Sequence, residues 1–141
     1  MSTMDIRKWL ETTGTPNGVS DDQASRFATR YGLALPPDYL AFLRASNGAE
    51  GPIGAEAYIA LWSLDDVAAR NEEYQVGLRV PGVLLIGSDG GGEGFGFDFR
   101  DPSTPLVNVP LVGMAPGEVK RIAPTFTRFL EMLESSEWLP F

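Results

Sequence analysis

The sequence predicts one α+β domain, with helices at both ends and a sheet formed by the middle of the chain. Apolar residues recur at i, i+3 and i+4 before residue 50 and again after Pro124. Between these segments, from Glu50 onward, glycines and prolines separate short runs of β-forming residues. The chain has 141 residues, the length of one domain, and no repeat or long linker divides it. We therefore expect residues 1–141 to form a single domain.

The N-terminal part predicts two helices before residue 33. Residues 4–10 form a short amphipathic segment with its apolar residues on one side, Ile6, Trp9 and Leu10. Ser20 and Gln23 have the spacing of a capping box, which satisfies amide groups at a helix start. Gly32 then ends this second helix, because glycine tolerates the left-handed conformation found there.

A third helix is predicted within residues 35–48, which read LPPDYLAFLRASNG. Two prolines suit its first turn, where a missing amide donor costs nothing. Its apolar face consists of Tyr39, Phe42 and Leu43, and we expect that face to pack against the sheet. Asn47 and Gly48 are expected to end the helix, since both residue types adopt left-handed conformations.

The middle of the chain predicts strands with one helix among them. Residues 58–62 (YIALW) and 83–87 (VLLIG) are rich in β-forming residues, and Ser63 caps a helix between them that runs to about Tyr74. Alternating phenylalanines predict another strand from Gly94, and a glycine-rich hairpin joins it to VLLIG. Residues 106–109, 111–114 and 117–122 are expected to add short strands.

The last helix is predicted to begin at Pro124. Four apolar residues form its buried stripe: Phe126, Phe129, Leu130 and Leu133. The tail from Ser135, SSEWLPF, is apolar but too short to assign.

Negative charge is concentrated in the middle of the chain. The net charge is −8, and residues 45–101 contribute −7 of it, with ten acids against three arginines. Residues 1–44 carry five acids and five bases and sum to zero. Contact with nucleic acid is disfavoured, because phosphates require the opposite sign. A basic protein partner and a merely solubilising acidic surface are the two interpretations that remain.

The residue inventory argues against an enzyme. The chain contains no histidine and no cysteine, which removes the usual general base, the thiolate nucleophile and the commonest zinc ligands. The glycine loop at 89–94 carries acids where a phosphate would need cations, and its spacing fits no calcium loop. We expect no metal and no cofactor. A carboxylate-based hydrolase remains an alternative, since acids are plentiful.

Two expectations concern location. No apolar run is long enough to span a membrane, so no membrane association is expected. The first residues lack the apolar core of a secretory signal, which predicts a cytoplasmic protein.

Four segments, in order, resemble the SUKH superfamily of Smi and Knr-type proteins. LPPDYLAFLRASNG is similar to its opening signature of Leu-Pro, Asp-Tyr, Phe-Leu and Asn-Gly. YIALWSLDDV resembles its strand and Leu-Trp-x-Leu helix entry, and Asn71, Glu72 and Tyr74 resemble the polar end of that helix. VLLIGSDGGGEGFGFD and APTFTRFLEML resemble its Ile-Gly-x-Asp-Gly-Gly segment and its closing helix. The resemblance runs from about Ser20 to Leu133.

The resemblance implies both a fold and a function. The fold would be a mostly antiparallel curved sheet of about five or six strands, flanked by N-terminal and C-terminal helices. Bacterial members are immunity proteins that neutralise cognate toxins, often nucleases, and other members are regulatory interaction modules of the type that controls cell-wall assembly. The resemblance also implies structural roles for Trp62, Gly87 and Asp89.

The leading hypothesis is therefore a non-enzymatic immunity protein that binds a cognate toxin through its acidic section. A regulatory protein-interaction module is the first alternative and a carboxylate-based hydrolase the second. The predicted partner-binding residues are Glu50, Glu56, Asp65, Asp66, Glu72, Glu73, Glu93 and Asp98. The partner would be a protein toxin with a basic surface, and neither catalytic nor metal-ligating residues are expected.

Overall fold

The computed structural model describes residues 4–139, which form one α+β unit. The helices are α1 (Ile6–Thr13), α2 (Asp21–Tyr31), α3 (Pro37–Ala45), α4 (Leu64–Glu73), α5 (Val76–Arg79) and α6 (Phe126–Glu134). The strands are β1 (Ala49–Ile53), β2 (Ala57–Leu61), β3 (Val83–Ser88), β4 (Glu93–Asp98), β5 (Leu106–Pro110) and β6 (Lys120–Ala123). No helix within residues 4–139 has the length and apolar character needed to cross a membrane.

The six strands form a single antiparallel sheet in which each strand pairs with its neighbour in sequence. Antiparallel neighbours can be joined by short turns, as β1 and β2 are, but the connection from β2 to β3 contains helices α4 and α5. A bulge interrupts the β3–β4 ladder between Leu85 and Gly87. The predicted α+β class, and a mostly antiparallel sheet of about six strands flanked by helices, are confirmed.

The helix starts follow the sequence signals. Ser20 accepts a hydrogen bond from the amide of Gln23 (3.1 Å), and the Gln23 side chain accepts one from the amide of Ser20 (2.8 Å), so the capping box is formed. Gly32 ends α2 with φ of 65°, as expected. The last helix is an exception: α6 begins at Phe126 rather than at the predicted Pro124, and Thr125 caps it by accepting from the amide of Arg128 (3.1 Å).

The predicted ending of α3 is wrong in detail. The helix stops at Ala45, and Ser46 is extended rather than left-handed. Asn47 has a different function, because its Oδ1 accepts a hydrogen bond from the amide of Leu64 (2.8 Å) at the start of α4. Gly48 has φ of 93°, and a Cβ there would lie 2.8 Å from the carbonyl oxygen of Leu61. The motif therefore joins α3 to β1 and α4 instead of only closing a helix.

Three further differences concern β structure and α5. Residues 111–114 form no strand: Gly113 turns the chain with φ of 78°, and the Leu111 amide donates to Gly92 O (2.8 Å) outside any ladder. The last strand is shorter than predicted, because Pro116–Glu118 forms a 3-10 turn. Strand β1 and helix α5 were not predicted, since the sequence of β1, AEGPI, contains glycine and proline and few β-formers.

The core lies between the sheet and helices α3 and α6. The Tyr39 ring centroid is 5.3 Å from that of Phe97 on β4 and 5.2 Å from that of Phe126 on α6. Phe95 packs in the same way on Phe129, with centroids 4.9 Å apart. All five rings are buried, and each such side chain stabilises the fold by about 1.5–3 kcal/mol. The expected packing of α3 against the sheet is confirmed at β4, where Tyr39 contacts Phe97.

The tail is only partly described. The Trp138 ring lies 5.9 Å from that of Phe95 and 6.5 Å from that of Phe129, so it extends the aromatic core. The last two residues of the tail, Pro140 and Phe141, lie outside the described residues.

The opposite face of the sheet is covered unevenly. Over β3 to β5 it carries buried apolar side chains, Leu85, Val107 and Val109, and Leu111 packs beside Gly94. Over β1 to β3 the same face carries Ala60 and Ser88, whose small side chains leave a hollow, and Glu50 lies opposite Ala60 on β1. That hollow is the starting point for the functional site.

Candidate functional site

The eight predicted partner-binding acids differ in exposure. Glu93 and Asp98, at the two ends of β4, are half-buried. The other six are exposed: Glu50, Glu56, Asp65, Asp66, Glu72 and Glu73. Exposure alone therefore leaves most of the set available to a partner.

Two of the eight acids are already paired with arginines. Glu72 Oε1 lies 2.6 Å from Arg30 Nη2, which joins α4 to α2. Asp98 forms two hydrogen bonds with the Arg100 guanidinium, both of 3.0 Å. These contacts hold the pKa of Asp98 below its usual range. Both acids have a structural role, so they are weaker candidates for partner contact than the others.

The remaining six acids form no salt bridge within the described residues. Two acids of the N-terminal part, in contrast, do pair with arginines. Asp21 pairs with Arg44 (3.0 Å), and Asp22 pairs with Arg26 (3.2 Å). The negative charge of the middle section is thus left largely uncompensated by the fold.

Glu50 and Asp66 line the same hollow, which we call the acidic groove. It has a volume of about 540 Å³ and lies on the open face of β1 to β3, beside α4. Its polar and small lining residues include Thr13, Thr15, Asn47, Gly48, Ala60, Ser63, Ser88, Gly90 and Gly91, and its larger ones are Trp62, Arg70, Tyr74 and Leu111. The structure therefore brings two of the predicted acids together although they are far apart in sequence.

Helix α4 supplies one wall of the acidic groove. Asp66, Arg70 and Tyr74 recur every four residues and so share one helical face. Ser63 fixes the start of the helix by accepting a hydrogen bond from the Asp66 amide (3.2 Å), and Asn47 accepts from the Leu64 amide. Hydrogen bonds at the helix start therefore fix where this face begins.

Arg70 is a groove residue that the sequence reasoning missed. Its guanidinium carbon lies 5.3 Å from the centroid of the Trp62 ring. Its Nε is buried and has no hydrogen-bond partner among the described residues, and the side chain forms no salt bridge there. The i, i+4 spacing from Asp66 was the available signal, but it predicts an ion pair rather than an unpaired cation.

The other unpaired acids lie outside the acidic groove. Glu56 lies in the β1–β2 turn, and Asp65 borders a small hollow together with Arg26 and Arg30 of α2. Glu73 ends α4, and Glu93 accepts a hydrogen bond from Asn108 Nδ2 (3.2 Å) on β5. The predicted acids therefore do not form one compact cluster.

A second hollow, of about 640 Å³, has mainly apolar walls. Phe99, Leu33 and Leu78 line it, and Leu78 is 76% exposed. The one acid in its lining is Glu72, which is paired with Arg30. This hollow carries no unpaired charge, so the acidic groove is the better candidate for recognising a charged partner.

The three residues assigned structural roles have packing explanations. A Cβ on Gly87 would lie 2.5 Å from the carbonyl oxygen of Ala60, so β2 and β3 approach closely only with glycine there. Asp89 Oδ1 accepts hydrogen bonds from the amides of Gly91 (2.8 Å) and Glu93 (3.1 Å) and so shapes the hairpin. Trp62 is buried at the end of β2.

Comparison with known proteins identifies a family. No curated protein matches the chain. The family model described as the SMI1 / KNR4 family (SUKH-1) matches residues 18–132, which is most of the chain and includes α2 to α5, the whole sheet and most of α6. This protein belongs to the SMI1/KNR4 family (SUKH-1).

Proposed function

We propose that this protein is a non-enzymatic immunity protein that binds and neutralises a cognate protein toxin with a basic surface. The observation that supports this proposal is a set of six acids that form no salt bridge within residues 4–139: Glu50, Glu56, Asp65, Asp66, Glu73 and Glu93. Unpaired like charges raise the energy of the isolated fold slightly and attract an oppositely charged partner. An acidic surface of this kind suits rapid recognition of a basic protein.

The hydroxyl groups of the acidic groove support a binding role over a catalytic one. Ser63 Oγ caps α4, and Ser88 Oγ accepts a hydrogen bond from the Gly90 amide (3.1 Å). The chain has no histidine to activate either serine. Within residues 4–139, no three Asp or Glu side chains are grouped closely enough to hold a metal ion. Binding that occludes the toxin is the mechanism that this inventory favours.

Co-expression tests the proposal directly. The toxin encoded by the neighbouring reading frame is induced with and without this protein, and cell survival is measured. We expect survival only when both are present. A toxin that kills equally well in both cultures would exclude that toxin as the partner, and a second outcome, turnover of glycan substrates by the purified protein, would favour the hydrolase alternative.

Association kinetics test the role of the unpaired acids. The double charge reversal Glu56→Lys with Glu73→Lys should lower the association rate constant for the purified toxin by about tenfold at low salt. The matched control, Asp21→Lys with Asp22→Lys, changes net charge equally but alters acids that are paired within the fold. We expect its effect to be about twofold, and both effects to shrink at high salt. Equal effects for the two variants would contradict the assigned surface.

A further inference from the structure

We propose that the acidic groove receives an extended segment of the toxin that carries a lysine or arginine, with the basic group held between the carboxylates of Glu50 and Asp66. This inference rests on the proposed function, because it names the part of the toxin that enters this protein. It goes beyond a general acidic surface, since it assigns one site and one kind of side chain.

The shape of the groove suits a long, thin side chain. Its floor is the uncovered face of β1 to β3, where Gly48, Ala60 and Ser88 leave space. Trp62, Tyr74 and Leu111 also line the groove and offer apolar surface. Lysine and arginine have an aliphatic stem that packs on such surface while the charged end stays near polar groups. A shorter side chain would leave the hollow unfilled.

The two carboxylates have unused capacity to accept hydrogen bonds. Glu50 Oε2 accepts from the Tyr58 hydroxyl, which holds the side chain in place, while Oε1 has no partner among the described residues. The Asp66 side chain accepts no hydrogen bond within residues 4–139, and neither acid forms a salt bridge there. A charge-assisted hydrogen bond from a basic group is stronger than one from a neutral donor.

The charge of Arg70 helps to determine whether the groove accepts a positively or a negatively charged side chain. With Glu50 and Asp66 it gives the groove a net charge of −1, so one incoming cation leaves the filled groove neutral. An acidic or neutral side chain would leave at least one carboxylate without a counter-charge. Arg70 is half-buried and its side chain donates no hydrogen bond within residues 4–139, so we assign its terminal Nη groups as donors to a main-chain carbonyl of the extended segment. The groove thus recognises a basic side chain together with its adjacent main chain.

Nuclear magnetic resonance with short peptides tests this assignment without the toxin. The probes are acetylated and amidated Gly-Ser-Xaa-Ser-Gly peptides in which Xaa is arginine, lysine, citrulline or glutamate. We expect the arginine and lysine peptides to shift the amide signals of Gly48, Gly90 and Gly91, which line the groove. Citrulline keeps the shape of arginine without its charge, so we expect shifts at least about fivefold smaller. Equal shifts for citrulline, or shifts confined to other residues, would overturn the proposal.

Isosteric substitutions in the groove provide the second measurement. Glu50→Gln and Asp66→Asn should each weaken binding of the arginine peptide by about three- to tenfold, and together by more. Asp22→Asn is the matched control, since Asp22 is an exposed acid outside the groove, and we expect no change with it. A control that weakens binding as much as the groove variants would show that only net charge matters, which would refute the proposed site.

Binding measurements with the toxin distinguish a failure of this inference from a failure of the proposed function. If the wild-type protein binds the toxin and the Glu50→Gln, Asp66→Asn double variant binds it equally well, the groove assignment fails while the immunity function stands. If the double variant loses about tenfold or more in affinity and Asp22→Asn loses none, the groove assignment is supported. If the wild-type protein binds no toxin, the proposed function fails, and the peptide titration still decides what the groove recognises.

Discussion

Asn71 supplies the hydrogen bonds that a neighbouring strand would otherwise supply to β3. Strand β2 pairs with β3 only as far as Leu61↔Gly87, so the main chain of Leu85 has no strand beside it on that side. Asn71 Oδ1 accepts from the Leu85 amide (2.9 Å), and its Nδ2 donates to the carbonyl of Leu85 (2.7 Å) and to that of Val67 (2.6 Å). One buried side chain therefore satisfies the part of β3 that β2 leaves unpaired and fixes α4 against that strand.

Loss of this side chain should be costly. We expect Asn71→Ala to lower the free energy of unfolding by about 2–4 kcal/mol, because it leaves the buried amide and carbonyl of Leu85 without partners. Urea denaturation followed by circular dichroism measures this change. The matched control is Asn17→Ala, since Asn17 is exposed and its side chain forms no hydrogen bond within the described residues. A cost below about 1 kcal/mol for Asn71→Ala would contradict the role assigned to Asn71.

At the scale of elements, α3 and α6 are joined by one carboxylate. Asp38 lies in the first turn of α3 and accepts a hydrogen bond from the amide of Tyr39 (2.9 Å). Its other oxygen accepts from the amide and the hydroxyl of Thr127 (2.9 and 3.0 Å), at the start of α6. The same acid thus satisfies amide groups at the N-termini of two helices, where the helix dipoles favour negative charge.

Removing that link should loosen the packing of both helices on the sheet. We expect Asp38→Ala to cost about 1–3 kcal/mol of stability, a value measured by the same urea denaturation. Asp22→Ala is the control, because Asp22 also lies in the first turn of a helix but its one salt bridge among the described residues is with the exposed Arg26. Equal losses for the two variants would show that the dipole interaction, and not the link to α6, carries the effect.

At the scale of the whole molecule, the carboxylates and tyrosines set the pH range of stability. Hydrogen bonds and ion pairs with Arg100, Ser103 and Arg128 lower the pKa values of three acids: Asp98, Asp101 and Glu137. Burial raises the pKa of Tyr39, whose hydroxyl has no hydrogen-bond partner among the described residues. The chain contains neither histidine nor cysteine, the two side-chain types whose ordinary pKa values lie between about 6 and 9.

The sign of each shift gives the expected stability profile. A lowered carboxyl pKa contributes stability above its ordinary value, 3.8 or 4.5 here, and that contribution is lost as pH falls below it. A raised tyrosine pKa has the opposite effect: the unfolded chain releases its proton first, so stability is lost above pH 10. We expect the midpoint of thermal unfolding to be flat from about pH 6 to 9 and to fall on both sides.

The substitution Tyr39→Phe tests whether Tyr39 causes the expected loss of stability at high pH. The ring contacts with Phe97 and Phe126 need no hydroxyl, so the variant should fold and should be at least as stable at pH 7. Its melting temperature should decline less than that of the wild type between pH 9 and 11. An identical alkaline decline in both proteins would contradict the assignment to Tyr39.

Particular residues show where the sequence was informative and where it was not. Ser20 with Gln23, Gly32 and the phenylalanines of β4 follow local rules of capping and periodicity, and the structure has them as expected. Strand β1 carries no local β signal and forms because β2 offers it a partner. Asn47 was assigned to the end of α3, yet its side chain caps α4, a contact between residues distant in the chain.

The sequence by itself determined the helices at both ends, the alternating strands, the family and the acidic character of the middle section. It did so because hydrophobic period, capping residues and charge are local properties of the chain. Only the tertiary structure decided which acids are free and which are neutralised. Glu72 and Glu73 are neighbours, but Arg30 of another helix pairs with Glu72 alone. Glu50 and Asp66 share a groove because the pairing of β1 with β2 brings Glu50 beside the start of α4, and a one-dimensional charge pattern does not contain that proximity.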